Sequence, residues 1–366
     1  MIPNFDKNKK TFFTQTLLHW HATHHRPLPW KGEKNPYLIW LSEIILQQTR
    51  VEQGLPYFEK FKEKYPTVTA LAGAPEDEVM KMWEGLGYYS RARHMHAAAK
   101  FITHELGGIF PKTYDGIRAL KGVGGYTAAA IASFAYNLPH AVVDGNVYRV
   151  LSRYFGMEEP VDTTAGKKLF ARLAQALLDE SQPGRYNQAI MDFGASQCTP
   201  AAPECGACPL RERCLAFEKG MVNSLPVKSK KRERKTRFFN YLVIRQAGSV
   251  FIKKRKEKDI WRNLYDFPLL ETERLPEKRE DLTGSEAWQQ TFGETAWRLA
   301  RISQPFKQEL THRKIMALFW EIEAGASFEP PQNAWLKVRQ DGLSEFAFPR
   351  VIGLYFRQKF LPLEIF

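Results

Sequence analysis

The 366 residues contain only four cysteines, and no apolar run approaches the roughly 18 residues that a membrane span needs. The first thirty residues hold no apolar stretch followed by a small-residue cleavage site, so no secretory leader is expected. A secreted disulfide scaffold would spread more cysteines over a shorter chain, which points to a reducing, cytoplasmic setting. Internal repeats and low-complexity tracts are also missing. Acidic residues are in deficit, 40 against 53 Lys and Arg, leaving a net charge of +13. Such a surplus favours polyanions, nucleic acid before an anionic membrane surface, although it also serves plain solubility. What remains is 44% hydrophobic and 25% charged, an ordinary globular composition that excludes disorder. The length suggests two or three domains. Nothing suggests a self-complementary interface, so a monomer is expected.

Residues 10 to about 220 read as mostly helical. Trp40 to Gln53, Glu76 to Trp83 and Gly166 to Asp179 carry apolar residues at three- and four-residue spacing, separated by breaks such as Gly85-Leu86-Gly87 and Leu138-Pro139. Asn35-Pro36 supplies a helix N-cap followed by proline at the first helical position. After Pro226 the texture changes. Lys228, Lys230, Lys231, Arg232, Arg234, Lys235 and Arg237 form a basic run, readable equally as a solvated linker or as a strap along a phosphate backbone. Beyond it, Phe239 to Ile244 and Ser249 to Ile252 read as strands joined by a turn at Gln246-Ala247-Gly248, and Met316 to Glu323 as another strand. The second half is therefore expected to be a separate α+β domain.

All four cysteines, Cys198, Cys205, Cys208 and Cys214, fall in one window with gaps of six, two and five residues. The Cys-x-x-Cys pair can grip a metal centre from a tight loop, and the outer cysteines complete four thiolates. Tetrahedral zinc and a four-iron cluster both suit such a set. The single Cys-x-x-Cys knuckle favours iron–sulfur, because zinc ribbons commonly carry two. Arg211, Arg213 and Lys219 place positive charge beside the window, suited to a DNA phosphate.

Gly122-Val123-Gly124 reads as a tight turn between helices, with Val123 as its apolar plug. A glycine turn leading into a helix N-terminus leaves backbone N–H groups for an anion, or it is a plain interhelical turn. Two acids stand out. Glu43 sits within Trp40-Leu41-Ser42-Glu43-Ile44-Ile45-Leu46, so desolvation is expected to raise its pKa and keep a proton available. Asp144 follows Val142-Val143, and a helix N-terminus or Asn146 would keep it ionised. Two acids in contrasting environments suit glycosidic cleavage. The bland alternative is that Glu43 bonds a backbone group and Asp144 caps a helix.

The runs LPW at 28–30, PYLIWLSEIILQQTRV at 36–51, EGLGYYSRA at 84–92, LKGVGGYTAAA at 120–130 and VDGNVYRVLSR at 143–153, with the four cysteines, resemble the adenine DNA glycosylase family of the MutY type. The likeness covers the whole catalytic half in order. A weaker likeness includes 261–268 and Ala347-Phe348-Pro349. It implies a mainly α helix–hairpin–helix glycosylase over 1–224, with the hairpin at 114–136 and an Fe–S loop at 198–214. A basic linker at 225–237 and a Nudix-like α+β domain at 238–366 would follow. The implied substrate is duplex DNA with adenine opposite 8-oxoguanine or guanine, and the implied cofactor is a 4Fe-4S cluster held by Cys198, Cys205, Cys208 and Cys214. Matched residue by residue, Glu43 protonates the adenine and Asp144 stabilises or captures the sugar cation. Tyr126 and Asn146 support them, while Arg26, Trp30 and Gln188 form the adenine pocket. Gln48 and Tyr88 enter the base stack, and Gly122, Val123 and Gly124 contact the phosphates.

In the endonuclease III branch of the same fold, the position of Tyr126 carries the lysine that forms a Schiff base. A tyrosine cannot form an imine, so base removal without efficient strand cleavage is expected, and Lys121 within the turn is a poor substitute. A bifunctional glycosylase–lyase and a non-catalytic Fe–S DNA-binding protein are the competing readings. The family's opposite-base loop reads Phe-Ser-His, whereas here Leu310-Thr311-His312 is the best match. Thr311 and His312 keep the hydroxyl and the imidazole, while the aromatic wedge is lost unless Phe306 supplies it. Nudix hydrolysis is not expected, since no glutamate-rich helix follows Phe267-Pro268.

Overall fold

The structure is a computed structural model, describing residues 6–24, 26–229, 234–331 and 335–359. Contacts separate the chain into two compact units, one of Met1–Gly73 and His94–Lys231, the other of Ala74–Arg93 and Arg232–Phe366. The second unit thus takes in a stretch that the sequence reading assigned to the first domain.

The first unit is helical. Its elements are α1 (Lys7–Thr23), α2 (Pro36–Leu46), α3 (Val51–Lys64), α4 (Val68–Gly73), then α6 (Ser90–Glu105, whose first turn belongs to the other unit) and α7 (Tyr114–Arg118). They continue through α8 (Gly125–Tyr136), α9 (Gly145–Phe155), α10 (Thr164–Leu177), α11 (Pro183–Ser196) and α12 (Leu215–Glu218). The second unit begins with α5 (Glu76–Met82). Apolar faces of α1, α9, α10 and α11 meet in a core built on Phe13, Leu17, Leu151, Tyr154, Phe170, Leu173 and Phe193. Burying each such side chain contributes roughly 1.5–3 kcal/mol. The run Ala128 to Ala132 is fully or nearly buried, and its four alanines suit the packing of α8 on α2.

Asn35 caps α2 as read, its side chain accepting from the Tyr37 N–H, with Pro36 at the first helical position. The helix expected over Trp40 to Gln53 is broken, however. It stops at Leu46, Gln48 turns to φ +56°, and a second helix starts at Val51. Apolar spacing continues across the break, so periodicity alone does not reveal it.

The hairpin at 114–136 forms α7, a turn and α8. Gly122 adopts φ +80°, and a Cβ there would stand 2.6 Å from the Cβ of His94, so both conformation and space call for glycine. Val123 is buried beneath the turn, and Gly124 caps α8 with no side-chain hydrogen bond, leaving the first N–H groups of α8 open.

The second unit is built on a mixed sheet of β1 (Lys235–Gln246), β2 (Ser249–Lys254), β3 (Tyr265–Asp266), β4 (Leu269–Thr272), β5 (Trp297–Ile302), β6 (Phe306–Glu309), β7 (Arg313–Ala324) and β8 (Trp335–Arg339). Strand β1 runs parallel to β7 from Lys235↔Arg313 to Arg245↔Glu323, and antiparallel to β2 and β4. Short helices α13 (Glu280–Thr283) and α14 (Glu286–Phe292) bring Leu282, Trp288 and Phe292 against Leu242, Ile244, Trp320 and Ile322 on one face. On the other face the terminal helix α15 (Arg350–Lys359) stacks Tyr355 on Phe319 at 4.0 Å. Alternation along β1 and β7 thus feeds two apolar layers.

Both ends of the stretch 225–237 are tied into a unit. Val227 and Ser229 are hydrogen-bonded to Val161 and Asp162, and the basic run is already strand from Lys235. Lys230, Lys231 and Arg232 lie outside the described residues. Arg234 pairs with Glu309 at 2.8 Å, and Arg237 grips Glu271 through two bonds and Asp259 through a third. These two arginines serve the sheet.

Candidate active site

The first unit holds a cavity of about 500 Å³ into which α2, α8, α9 and α11 present side chains. Of the residues singled out from sequence, Glu43, Tyr126, Asp144, Asn146, Arg26, Trp30 and Gln188 all line it. Residues 26 to 188 in sequence are thus brought to one wall.

Glu43 comes from the middle of α2, whose flanking residues Leu41, Ile44 and Ile45 are buried. Burial raises its carboxyl to about 7, and the nearby Asp144 pushes in the same direction. The Tyr126 hydroxyl donates to Glu43 and opposes that rise, and its own pKa is driven well up by burial and by the two acids. Near neutrality Glu43 therefore holds a proton for a substantial part of the time, as a general acid requires.

Asp144 is the N-cap of α9, accepting from Val147 N–H at 2.7 Å and from the Asn146 amide at 2.8 Å. Burial raises its pKa, while these hydrogen bonds and Arg149 work to keep it ionised. The bland reading of Asp144 as a helix cap is thus correct and compatible with the sharper one, since the cap sits at the cavity wall. Glycine at 194 lets α11 approach: a Cβ there would lie 2.7 Å from the Cβ of Asn146.

Sequence reasoning missed Arg149, one helical turn after Asn146. Its guanidinium donates to Asn146 Oδ1 at 2.8 Å, to the Gly194 carbonyl, and to the Cys198 carbonyl at 2.6 Å. Arg153, one turn further on, donates to the carbonyls of Thr199 and Pro200 and reaches Cys198 Sγ at 3.4 Å. The spacing 146, 149, 153 on one helix face was the available signal. Also missed were His21, Lys31 and Asp192, which line the same cavity. Asp192 is a lone acid in the apolar run Ala189-Ile190-Met191-Asp192-Phe193, the same signal that marked Glu43.

Cys198, Cys205, Cys208 and Cys214 are free thiols around a second, smaller cavity in the same unit. Burial and neighbouring thiolates raise Cys208 to about 11 and lift Cys205 and Cys214. Thiols whose pKa is raised in this way ionise together only beside compensating positive charge, which a metal centre supplies. Among the described residues no group of three or more His, Cys, Asp or Glu is arranged to hold a metal ion. Four thiols gathered round one cavity are the donor type that an iron–sulfur cluster takes. Arg211 and Arg213 are exposed at this loop, Arg213 lying over the Phe12 ring.

Gln48 is exposed at the break after α2. In the second unit Tyr88 is 44% exposed with φ +47°, between the Arg91 guanidinium and the hairpin that joins β6 to β7. Its hydroxyl meets Thr311 Oγ1 at 2.6 Å. Thr311 and His312 are exposed at the hairpin tip, His312 directly before β7. Phe306 does not replace the missing aromatic: it packs on Phe319 and Tyr355 beneath the sheet.

Residues 41–175 match the HhH-GPD superfamily of base excision DNA repair proteins, and residues 240–358 match the NUDIX domain. An adenine DNA glycosylase of Buchnera aphidicola subsp. Baizongia pistaciae is 36% identical over 261 residues, covering 70% of this chain and 73% of the relative. The chain belongs to the adenine DNA glycosylase family. The human adenine DNA glycosylase is 41% identical over 224 residues, covering 58% of this chain and 41% of the human protein. Among solved structures, a thermostable thymine-DNA glycosylase superposes with a TM-score of 0.54 at 31% identity, covering 58% of this chain and 98% of the other. That match accounts for the helical fold. The glycosylase described here thus combines a helix–hairpin–helix unit with a Nudix-like one.

Proposed function

We infer that this glycosylase removes adenine from duplex DNA where it faces 8-oxoguanine or guanine, and that it does so by hydrolysis. The observation that carries the reading is the meeting of Glu43 and Asp144 in one cavity, the first held near a pKa of 7 and the second accepting a hydrogen bond at each carboxyl oxygen. An adenine inside the helix is out of reach of both, so it must be unstacked and turned into the cavity, at a cost of a few kcal/mol. Trp30 and Arg26 offer it an aromatic face and a cation. Glu43 then delivers a proton to a ring nitrogen, so the purine departs neutral, an effect worth roughly 10²–10⁴ in rate. Asp144 faces the positive charge that builds on the sugar, and water completes the exchange. Tyr126 occupies the place of an amine nucleophile and cannot form an imine, which supports base removal without strand cleavage.

A 4Fe-4S cluster held by the four cysteines would fix the loop 198–214 and supply its redox chemistry there, while Arg149 and Arg153 tie that loop to α9. Gly122 to Gly124 and the open N-terminus of α8 offer a phosphate its N–H groups, and Gln48 and Tyr88 are exposed to fill the gap in the stack. Thr311 and His312 at the hairpin tip read the opposite base. The enzyme acts as a cytoplasmic monomer.

The test is release of free adenine, followed by chromatography, from duplexes with adenine opposite 8-oxoguanine, guanine or thymine. Release from the first two and not the third is expected. Equal release from all three would overturn the opposite-base reading, and no release from any would overturn the activity.

A further inference from the structure

Asp192 is 2% exposed, yet its carboxylate faces the cavity through three partners. Lys31 Nζ lies 2.7 and 2.5 Å from its two oxygens, and His21 Nε2 lies 3.0 Å from Oδ2. The third partner is Gln188, one helical turn earlier on α11, whose Nε2 lies 3.3 Å from Oδ1. A buried carboxylate of this kind costs stability unless its neighbours satisfy it. Burial opposes its ionisation, but the hydrogen bonds from His21 and Lys31 prevail and hold it below the usual carboxylate range. Asp192 is therefore an anion, and an anion accepts hydrogen bonds without donating any.

This fixes the Gln188 amide. A side-chain amide can present either end, and its orientation is decided by its surroundings. Facing Asp192, it must turn its NH₂ inward, which leaves the carbonyl oxygen for the cavity. An acceptor there suits the exocyclic amino group of adenine and repels the carbonyl that guanine and hypoxanthine carry at the same ring position. We propose that Asp192, gripped by Lys31 and His21, is a positioning residue that locks Gln188 as an acceptor and so makes the cavity select a 6-aminopurine over a 6-oxopurine.

The inference rests on the adenine reading of the site, and the experiment separates the two. Single-turnover excision is measured on duplexes carrying adenine or hypoxanthine opposite 8-oxoguanine. Wild-type enzyme should release adenine at least about tenfold faster, the consequence of leaving facing acceptors unpaired. In Asp192→Asn the side chain can donate to Gln188, which is then free to turn its NH₂ to the cavity. The adenine-to-hypoxanthine ratio should fall by about tenfold or more, with duplex affinity within threefold of wild type. Since that change strands the Lys31 charge, the double variant Lys31→Gln/Asp192→Asn carries the same expectation without an unpaired cation. A merely structural Asp192 would slow both bases alike. An active wild type with equal rates on the two bases, or folded variants with the wild-type ratio, overturns the inference alone. A wild type inert on adenine overturns the adenine reading, and the inference with it.

Discussion

Glu43→Gln removes the group on which the chemistry depends while changing little volume, and its effects on stability and on rate should have opposite signs. The wild-type carboxyl rises from an ordinary 4.5 to about 7 in the folded protein. With the folded value above the unfolded one, the native state binds the extra proton between those limits. Wild-type stability is therefore fully present below about pH 4.5, falls as pH rises toward 7, and is flat beyond. Full burial would make that loss roughly 3 kcal/mol. Glu43 borders a cavity open to water, so about 1–2 kcal/mol is the working expectation. Glutamine carries no charge and escapes this loss. Urea titrations at pH 5 and pH 8 should show similar stabilities at the lower pH and a more stable variant at the higher one. Turnover should meanwhile drop by about 10² or more, with duplex affinity within about tenfold. If the variant is less stable at pH 8, or cleaves adenine at near the normal rate, Glu43 is a structural hydrogen-bond partner of Tyr126 and not the acid.

Wild-type turnover should decline as pH rises through about 7, where Glu43 loses its proton; because the Tyr126 hydroxyl lowers that value, Tyr126→Phe should move the alkaline limb upward, and a limb that stays put or moves down would contradict the bond between them. Gly194→Ala, with its Cβ pressed 2.7 Å from that of Asn146 and 2.9 Å from its carbonyl oxygen, should cost about 1–3 kcal/mol in denaturant unfolding and slow excision, whereas a neutral variant would show that α9 and α11 have room to part. Cys205→Ser should abolish the visible absorbance of an iron–sulfur centre and weaken folding or DNA binding more than the chemical step; a stable, fully active apo-protein would remove the structural role of the loop.

Local signals in the sequence were readable where one residue type has one use. Asn35-Pro36 starts a helix, Gly122 takes φ +80°, and Glu43 in an apolar helix lines a cavity as an acid with a raised pKa. Gln48 and Tyr88 were harder, because both hold positive φ without being glycine, so propensity hides the breaks at which they are displayed. In the basic run after Pro226, charge was counted without its partners: Glu309 and Glu271, which hold Arg234 and Arg237, stand 75 and 34 residues away. The parallel pairing of β1 with β7 is equally nonlocal. In the site, Arg149 and Asp192 meet Asn146 and Gln188 on their own helices, a spacing legible in the sequence, whereas the cavity they border forms only once the helices are packed. Leu310 to His312 lie in the hairpin between β6 and β7, and Phe306, the one residue that could have stood in for the lost aromatic, is turned by alternation along β6 into the sheet's apolar layer.

The central claim is hydrolytic removal of adenine by Glu43 and Asp144, with beside them a tyrosine, Tyr126, that cannot form an imine. Its most direct test is a single-turnover reaction on a duplex holding adenine opposite 8-oxoguanine, quenched with and without hot alkali. Strand breaks after alkali alone are predicted. Breaks without alkali would place a lysine in the reaction and contradict the reading of Tyr126, and intact strands in both lanes would contradict the roles given to the two acids.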